Sequence, residues 1–145
     1  MKKDIITHEI QDVIVAVVPR DNGTEEELWD TYIVNLRTDP MESVLITSQG
    51  YGEINGSDKT TTVLRHFHQI IQPNSFLKVE PIQRELFSIK NEYWISFNDG
   101  DQMRDKRYVF EAGQIRVEAL QEVRLLESPG VMLRETNLLK GCCFT

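Results

Sequence analysis

Cysteine is almost missing from this chain of 145 residues: the two it has, Cys142 and Cys143, are adjacent and near the C-terminus. Neighbouring cysteines close no useful loop, so a disulfide framework is excluded as the source of stability. Cys142-Cys143-Phe144-Thr145 has the outline of a prenylation box, but Phe-Thr fits its preferences poorly. A tail of reduced thiols, frayed from about residue 134, is the expectation. Long apolar runs are lacking too. No stretch approaches the ~20 residues that a membrane-spanning helix needs. The N-terminal Ile5-Ile6-Thr7 is interrupted by His8 and Glu9, which argues against a signal peptide. The expected location is cytoplasmic with no membrane partner, and on that reading Asn22-Gly23-Thr24 and Asn55-Gly56-Ser57 are turns, not glycosylation sites.

Positive charge is scarce in the first part of the chain, where residues 1–60 hold five Lys/Arg against twelve Asp/Glu. Residues 61–145 hold eleven of each, so the net charge of −7 comes entirely from the first 60 residues. An acidic surface repels phosphates, and no basic cluster is interleaved with aromatics along one element, so no nucleic-acid partner is expected. The densest basic group, Arg104, Lys106 and Arg107, is flanked by Asp99, Asp101 and Asp105 and reads first as a solvated arm of mixed charge.

Catalytic motifs are missing as well. No nucleophile elbow is present, and the three histidines come without a recognisable Ser or Cys partner motif. In Gly50-Tyr51-Gly52-Glu53-Ile54-Asn55-Gly56 the third glycine falls one residue too late for a dinucleotide loop. In Gly56-Ser57-Asp58-Lys59-Thr60 an Asp stands where a phosphate loop requires Gly, and its charge would repel the phosphate. The 23 acidic residues are scattered, with no pair that marks a glycosidase. No cofactor is expected.

What the chain does have is β-strand patterning. At 40% apolar and 27% charged it is a folded globular chain, and its length suits one domain over residues 1–145. Gln11 to Val18 is a continuous β-branched run, the mark of a strand covered on both faces. Leu28 to Arg37 alternates, with Trp29, Thr31, Ile33 and Asn35 on one side, and Ser43 to Ser48 reads as a third strand. Gln49 to Lys59, with three glycines, reads as a flexible connection. Thr60 to Ile71 is ambiguous between helix and strand, and its Thr run and alternation favour strand. Phe76 to Glu80 is a strand, Arg84 to Ser88 one helical turn, and Ser128-Pro129-Gly130 a turn before a short strand at Val131 to Leu133.

The clearest feature is a β-hairpin between Glu92 and Phe110, with Asn98-Asp99-Gly100-Asp101 at its turn. If Asp99-Gly100 is the tip, Phe97 faces Gln102; with a three-residue loop it faces Met103. Neither register is clean, so a projecting tip or a bulge is expected, with Trp94, Arg104 and Lys106 as candidate partner contacts. Six to eight short strands with few helices predict an all-β fold, an antiparallel β-sandwich, immunoglobulin-like in outline, with one short helix. Its expected core is Val15, Val17, Ile33, Leu45, Leu64, Phe76, Val79, Ile95 and Phe110.

Two binding readings compete on this frame. His66-Phe67-His68 on a strand would point both imidazoles to one side, where they could hold a divalent metal; His8, Glu53 or Asp58 would have to supply a third ligand. The alternative places His66 and His68 as half-buried side chains beside a core Phe67. Trp29, Tyr93 and Trp94 could form a sugar or peptide platform, although sandwiches more often use such aromatics as core or edge cover. Residues Thr61 to Ile71, Pro73, Ser75, Val79-Glu80-Pro81-Ile82 and Glu92-Tyr93-Trp94-Ile95-Ser96-Phe97 resemble a set of small uncharacterised bacterial proteins. Some of these carry the label phenylalanyl-tRNA synthetase alpha subunit. That label implies a much larger class II catalytic domain with its aminoacylation motifs, which this sequence lacks, so the resemblance brings no activity and no site residue. The expectation is a non-enzymatic sandwich that binds another protein or itself, with a metal-binding domain or metal-dependent hydrolase at His66 and His68 as the alternative.

Overall fold

The computed structural model describes residues 12–20 and 28–133, together with the backbone of His8–Glu9. The C-terminal tail, with Cys142 and Cys143, lies outside the described residues. The strands are β1 (His8–Glu9), β2 (Val13–Pro19), β3 (Leu28–Asn35), β4 (Met41–Ile54), β5 (Ser57–Thr60) and β6 (Leu64–Ile71). They continue as β7 (Ser75–Gln83), β8 (Lys90–Asp99), β9 (Gln102–Phe110), β10 (Gln121–Val123) and β11 (Ser128–Leu133). The front sheet runs β1-β9-β8-β4-β6, and β5 continues the β6 edge by pairing with the far end of β4. The back sheet runs β10-β11-β2-β3-β7. In immunoglobulin lettering β2, β3 and β7 take positions A, B and E, and β4, β8 and β9 take C, F and G. The expected sandwich is therefore the observed one, with β11 added beside strand A. Among the described residues two 3-10 helical turns are complete, Arg84–Ser88 and Val117–Ala119.

The unbroken apolar run of β2 is buried along its whole length for the reason its pattern implies. Val13, Val15 and Val17 enter the core between the sheets, while Ile14, Ala16 and Val18 form a second cluster with Val34 and Val123 behind the back sheet. The β10–β11 segment supplies that cover. Gly130 lets β11 approach: a Cβ there would lie 2.8 Å from Val18 Cγ2 and 3.1 Å from the Val17 carbonyl. Ser128-Pro129-Gly130 is thus part of a strand and not the expected turn, with Pro129 tolerated near its start.

Residues 49–59 are likewise no loose connection. β4 runs on to Ile54, turns at Asn55 and Gly56, both with positive φ, and pairs with β5. That is the backbone an Asn-Gly hairpin turn demands.

Two tyrosines fasten the sheets together across the core. The Tyr108 hydroxyl on β9 donates to the Val13 carbonyl on β2 at 2.8 Å, and the Tyr93 hydroxyl on β8 shares a hydrogen bond with Thr31 Oγ1 on β3 at 2.9 Å. Asn35 Nδ2 reaches the carbonyls of Asp39, Ile71 and Gln72, joining the β3–β4 and β6–β7 crossings between the sheets. Trp29 is buried edge-on to Phe87 at 5.0 Å, and its Nε1 has no hydrogen-bond partner among the described residues.

Four expected core residues are corrected or demoted. Leu45, Leu64 and Phe76 are exposed, and Val79 is only partly buried. On β4 the inward phase belongs to Val44, Ile46 and Ser48, which leaves Leu45 facing out. On β7 a bulge falls where the pairing shifts from Thr31↔Glu80 to Tyr32↔Lys78, so Val79 is the extra residue. The bulge turns Leu77, Val79 and Glu80 inward and Phe76 outward, where its ring meets Tyr32 at 5.9 Å.

Candidate functional site

The inner face of β6 carries His66 and His68, opposite Ile46 and Val44 of β4. Residues 64–71 form a strand, so the two imidazoles do share a side, as the metal reading requires. His66 is already engaged: its Nε2 lies 2.7 Å from Oε1 of Glu80, which the β7 bulge aims inward from the other sheet. Ser48 Oγ donates to both oxygens of the same carboxylate, at 3.1 and 3.0 Å. The order is Ser–Glu–His, with the carboxylate in the middle. A nucleophilic serine needs the imidazole as its direct base, and here none of the hydrogen bonds joins Ser48 to His66. Chemically the trio is a polar clasp that closes the β6–β7 edge of the sandwich.

None of the third ligands suggested for a metal reaches this place. His8 sits on β1, four strands away across the front sheet, or about 19 Å at the usual spacing. Glu53 and Asp58 face each other at the far end of β4, seven positions beyond Ile46, or roughly 23 Å along the strand. Among the described residues there is no group of three or more His, Cys, Asp or Glu that could hold a metal ion.

The clasp borders a cleft of about 260 Å³ where β5 and β6 part at Thr61–Val63. Ser48, Gly50, Thr61, Glu80, Asn91 and Tyr93 line it. Tyr93 is held well above its usual ionisation range, first by burial and then by the charge of Glu80, against which the Thr31 hydrogen bond works.

The hairpin takes a register that neither expected tip provides. Gly100-Asp101 is the two-residue loop, so Asp99 faces Gln102, Phe97 faces Arg104 and Ile95 faces Lys106. Every second side chain now points inward with Tyr93, Ile95 and Phe97, and the basic residues Arg104 and Lys106 fall on that same face. Their stems cover the edge of the core. Arg104 Nε reaches Asp99 at 2.7 Å, and Lys106 Nζ lies 5.7 Å from the Tyr108 ring centre. The tip does not project freely. Arg37, from the β3–β4 crossing, pairs with Asp99 at 2.7 Å and stacks over Phe97 at 5.0 Å. Hydrogen bonds from Arg104 and then Arg37 hold the Asp99 carboxyl below the usual carboxylate range.

Trp94 is on the opposite face. The structure therefore divides the expected partner patch: Trp94 points outward from the front sheet, and Arg104 and Lys106 do not join it. Across that outer face Trp94 pairs with Thr47 and Arg107, and Leu45 pairs with Phe67 and Ser96. Trp94, Leu45 and Phe67 thus make a diagonal apolar stripe over β8, β4 and β6, exposed by 47%, 40% and 65%. Met103, 55% exposed, lies beyond it on β9. The rim is charged, with Arg65, Arg107, Asp105 and Glu92 on the same face, and Trp94 Nε1 reaches Asp105 Oδ2 at 3.4 Å. Phe67 is correspondingly the most exposed of these side chains, not the core residue expected. Alternation alone could have placed Trp94 and Phe67 outside, once Ile95 and His66 are fixed inside.

No protein-family model matches this chain, and a search of curated proteins gives no match. Among the described residues no helix is long and apolar enough to cross a membrane. Function rests on the chemistry of these surfaces.

Proposed function

We propose that this chain is a non-catalytic β-sandwich binding domain that docks another protein on the outer face of its front sheet. The observation that carries the reading is the stripe of Trp94, Leu45 and Phe67. Single exposed apolar residues are ordinary, but three large ones on neighbouring strands of one face, within a charged rim, have the anatomy of an interface centre. Aromatic anchors of this kind dominate binding energies. Capture of proteins from a lysate, repeated with Trp94→Ala and Leu45→Ser, tests it. Both side chains are half-exposed, so the variants keep the fold. Loss of the captured partner supports the reading, and capture indifferent to both substitutions overturns it.

The metal alternative keeps the pair His66 and Glu80, with His68 on the same face of β6. Elemental analysis of untagged protein decides it: stoichiometric metal lost in His66→Ala supports it, and its absence removes it.

A further inference from the structure

We propose that two copies of this chain pair along β6, antiparallel about a twofold axis at Phe67, so that their front sheets join edge to edge. The proposal rests on the binding-domain reading and names the occupant of the β6 edge as a second copy. It starts from the sequence of the strand itself. Residues 64–70 read Leu-Arg-His-Phe-His-Gln-Ile, which is the same pattern in both directions: apolar, polar, His, Phe, His, polar, apolar. A twofold axis between antiparallel strands makes each residue face its mirror position. Phe67 then meets Phe67, His66 meets His68, Arg65 meets Gln69, and Leu64 meets Ile70. The polar residue opposite Arg65 is uncharged.

The exposed side chains of β6 obey the same symmetry. Leu64 is 45% exposed, Phe67 65% and Ile70 43%, and these three are the strand's exposed large apolar residues. The twofold pairing sets each of the three against one of the others or against itself. Aromatic pairs and apolar pairs directly across an antiparallel ladder are the contacts that stabilise it.

Among the described residues nothing covers this edge, and Arg65 is its one fully charged side chain. Sheet edges are normally protected by Lys, Pro, bulges or a covering segment. β7, the edge of the back sheet, has Lys78, Pro81 and the bulge at Val79. β9 is met by β1 at Arg104 and Asp105, and β10 is three residues long. β6 has eight residues, no Pro, no Lys and no acid, and its pairing among the described residues is with β4 alone. The two chains each carry −7, but the excess acid falls in residues 1–60 and not on this strand, so screened repulsion acts at a distance.

The test uses the full chain in sedimentation and light scattering across a concentration series. A dimer is expected, and Phe67→Lys sets two ammonium groups against each other at the axis, weakening it by roughly tenfold or more. Circular dichroism of Phe67→Lys should match the parent, since the side chain is exposed. Register is read by cross-linking in a Cys142→Ser, Cys143→Ser background. Phe67→Cys should oxidise to a disulfide-linked dimer; Arg65→Cys should not do so alone, but should when mixed with Gln69→Cys. A monomer throughout, a dimer indifferent to Phe67→Lys, or Arg65→Cys linking to itself as readily as Phe67→Cys overturns the proposal. The two readings fail separately. A monomer that still loses a captured partner on Trp94→Ala keeps the docking face and removes the twofold pairing. A dimer that needs Phe67, with no partner sensitive to Trp94 or Leu45, does the reverse.

Discussion

Removing the Tyr93 hydroxyl should weaken the sandwich by about 1–3 kcal/mol, the cost of leaving one buried partner of a hydrogen bond unsatisfied. Tyr93 and Thr31 are both shut away from water, and their 2.9 Å hydrogen bond crosses from the front sheet to the back. In Tyr93→Phe the Thr31 hydroxyl stays in the core without it. In Thr31→Val the Tyr93 hydroxyl is stranded, at a similar cost. The double variant removes both polar groups while nearly conserving shape, so it should be far less damaging than the two singles added together. A coupling of about 1–2 kcal/mol is the expected result of that cycle. Urea unfolding reads it: with a slope of ~1–3 kcal/mol per molar, each single substitution moves the midpoint by the order of 1 M at unchanged slope.

The same pair predicts a pH limb. Because the folded state holds the Tyr93 proton above the usual 10.0, its contribution is intact below that value and declines as pH rises towards the raised folded one. Tyr93→Phe should therefore flatten the alkaline loss of stability. Additive single effects, or singles indistinguishable from wild type, would refute the inter-sheet fastening.

Two further substitutions probe the packing that positions the candidate surfaces. Gly130→Ala puts a methyl group 2.8 Å from Val18 Cγ2, and should cost about 1–3 kcal/mol in thermal or urea unfolding; an unchanged midpoint would mean that β11 is not seated on β2 as described. Asp99 titrates below its usual 3.8 because Arg104 and Arg37 bond its charged form. Its stabilisation is thus complete above 3.8 and lost as pH falls through the lowered folded value, so Asp99→Asn should remove part of the acid-induced loss. An acid limb identical in the two proteins would count against the pinned hairpin tip.

The sandwich was legible because its strongest signals are local. The unbroken apolar run of β2 can be satisfied only by cover on both faces, and it has that cover. The alternation of Trp29, Thr31 and Ile33 was equally readable. What misled was anything that depends on phase. One residue separates the observed hairpin loop, Gly100-Asp101, from the loop at Asp99-Gly100, and that single step decides which residues face Arg104 and Lys106. The pins that select it, Arg37 on Asp99 and on Phe97, come from about 60 residues earlier in the chain. The β7 bulge is also silent in the sequence. It puts Phe76 and Glu80, which share a face in an unbroken strand, on opposite faces; carried on from Leu77 without it, the strand would turn Glu80 outward and leave the clasp of Ser48, Glu80 and His66 without a centre. His66 could be placed on a face from its own strand; its partner could not, because Glu80 belongs to the other sheet.

The two tyrosine hydroxyls have a consequence beyond strength. Many sandwiches of this topology tie their sheets with a sulfur–sulfur bond, whose survival depends on the electron balance of the surroundings. Here the ties between β9 and β2 and between β8 and β3 are oxygen to oxygen, and no cysteine lies within residues 1–141. A reductant has nothing between these sheets to cut. The domain should keep its two layers registered whether thiols around it are free or oxidised, and its unfolding midpoint should be the same with and without dithiothreitol.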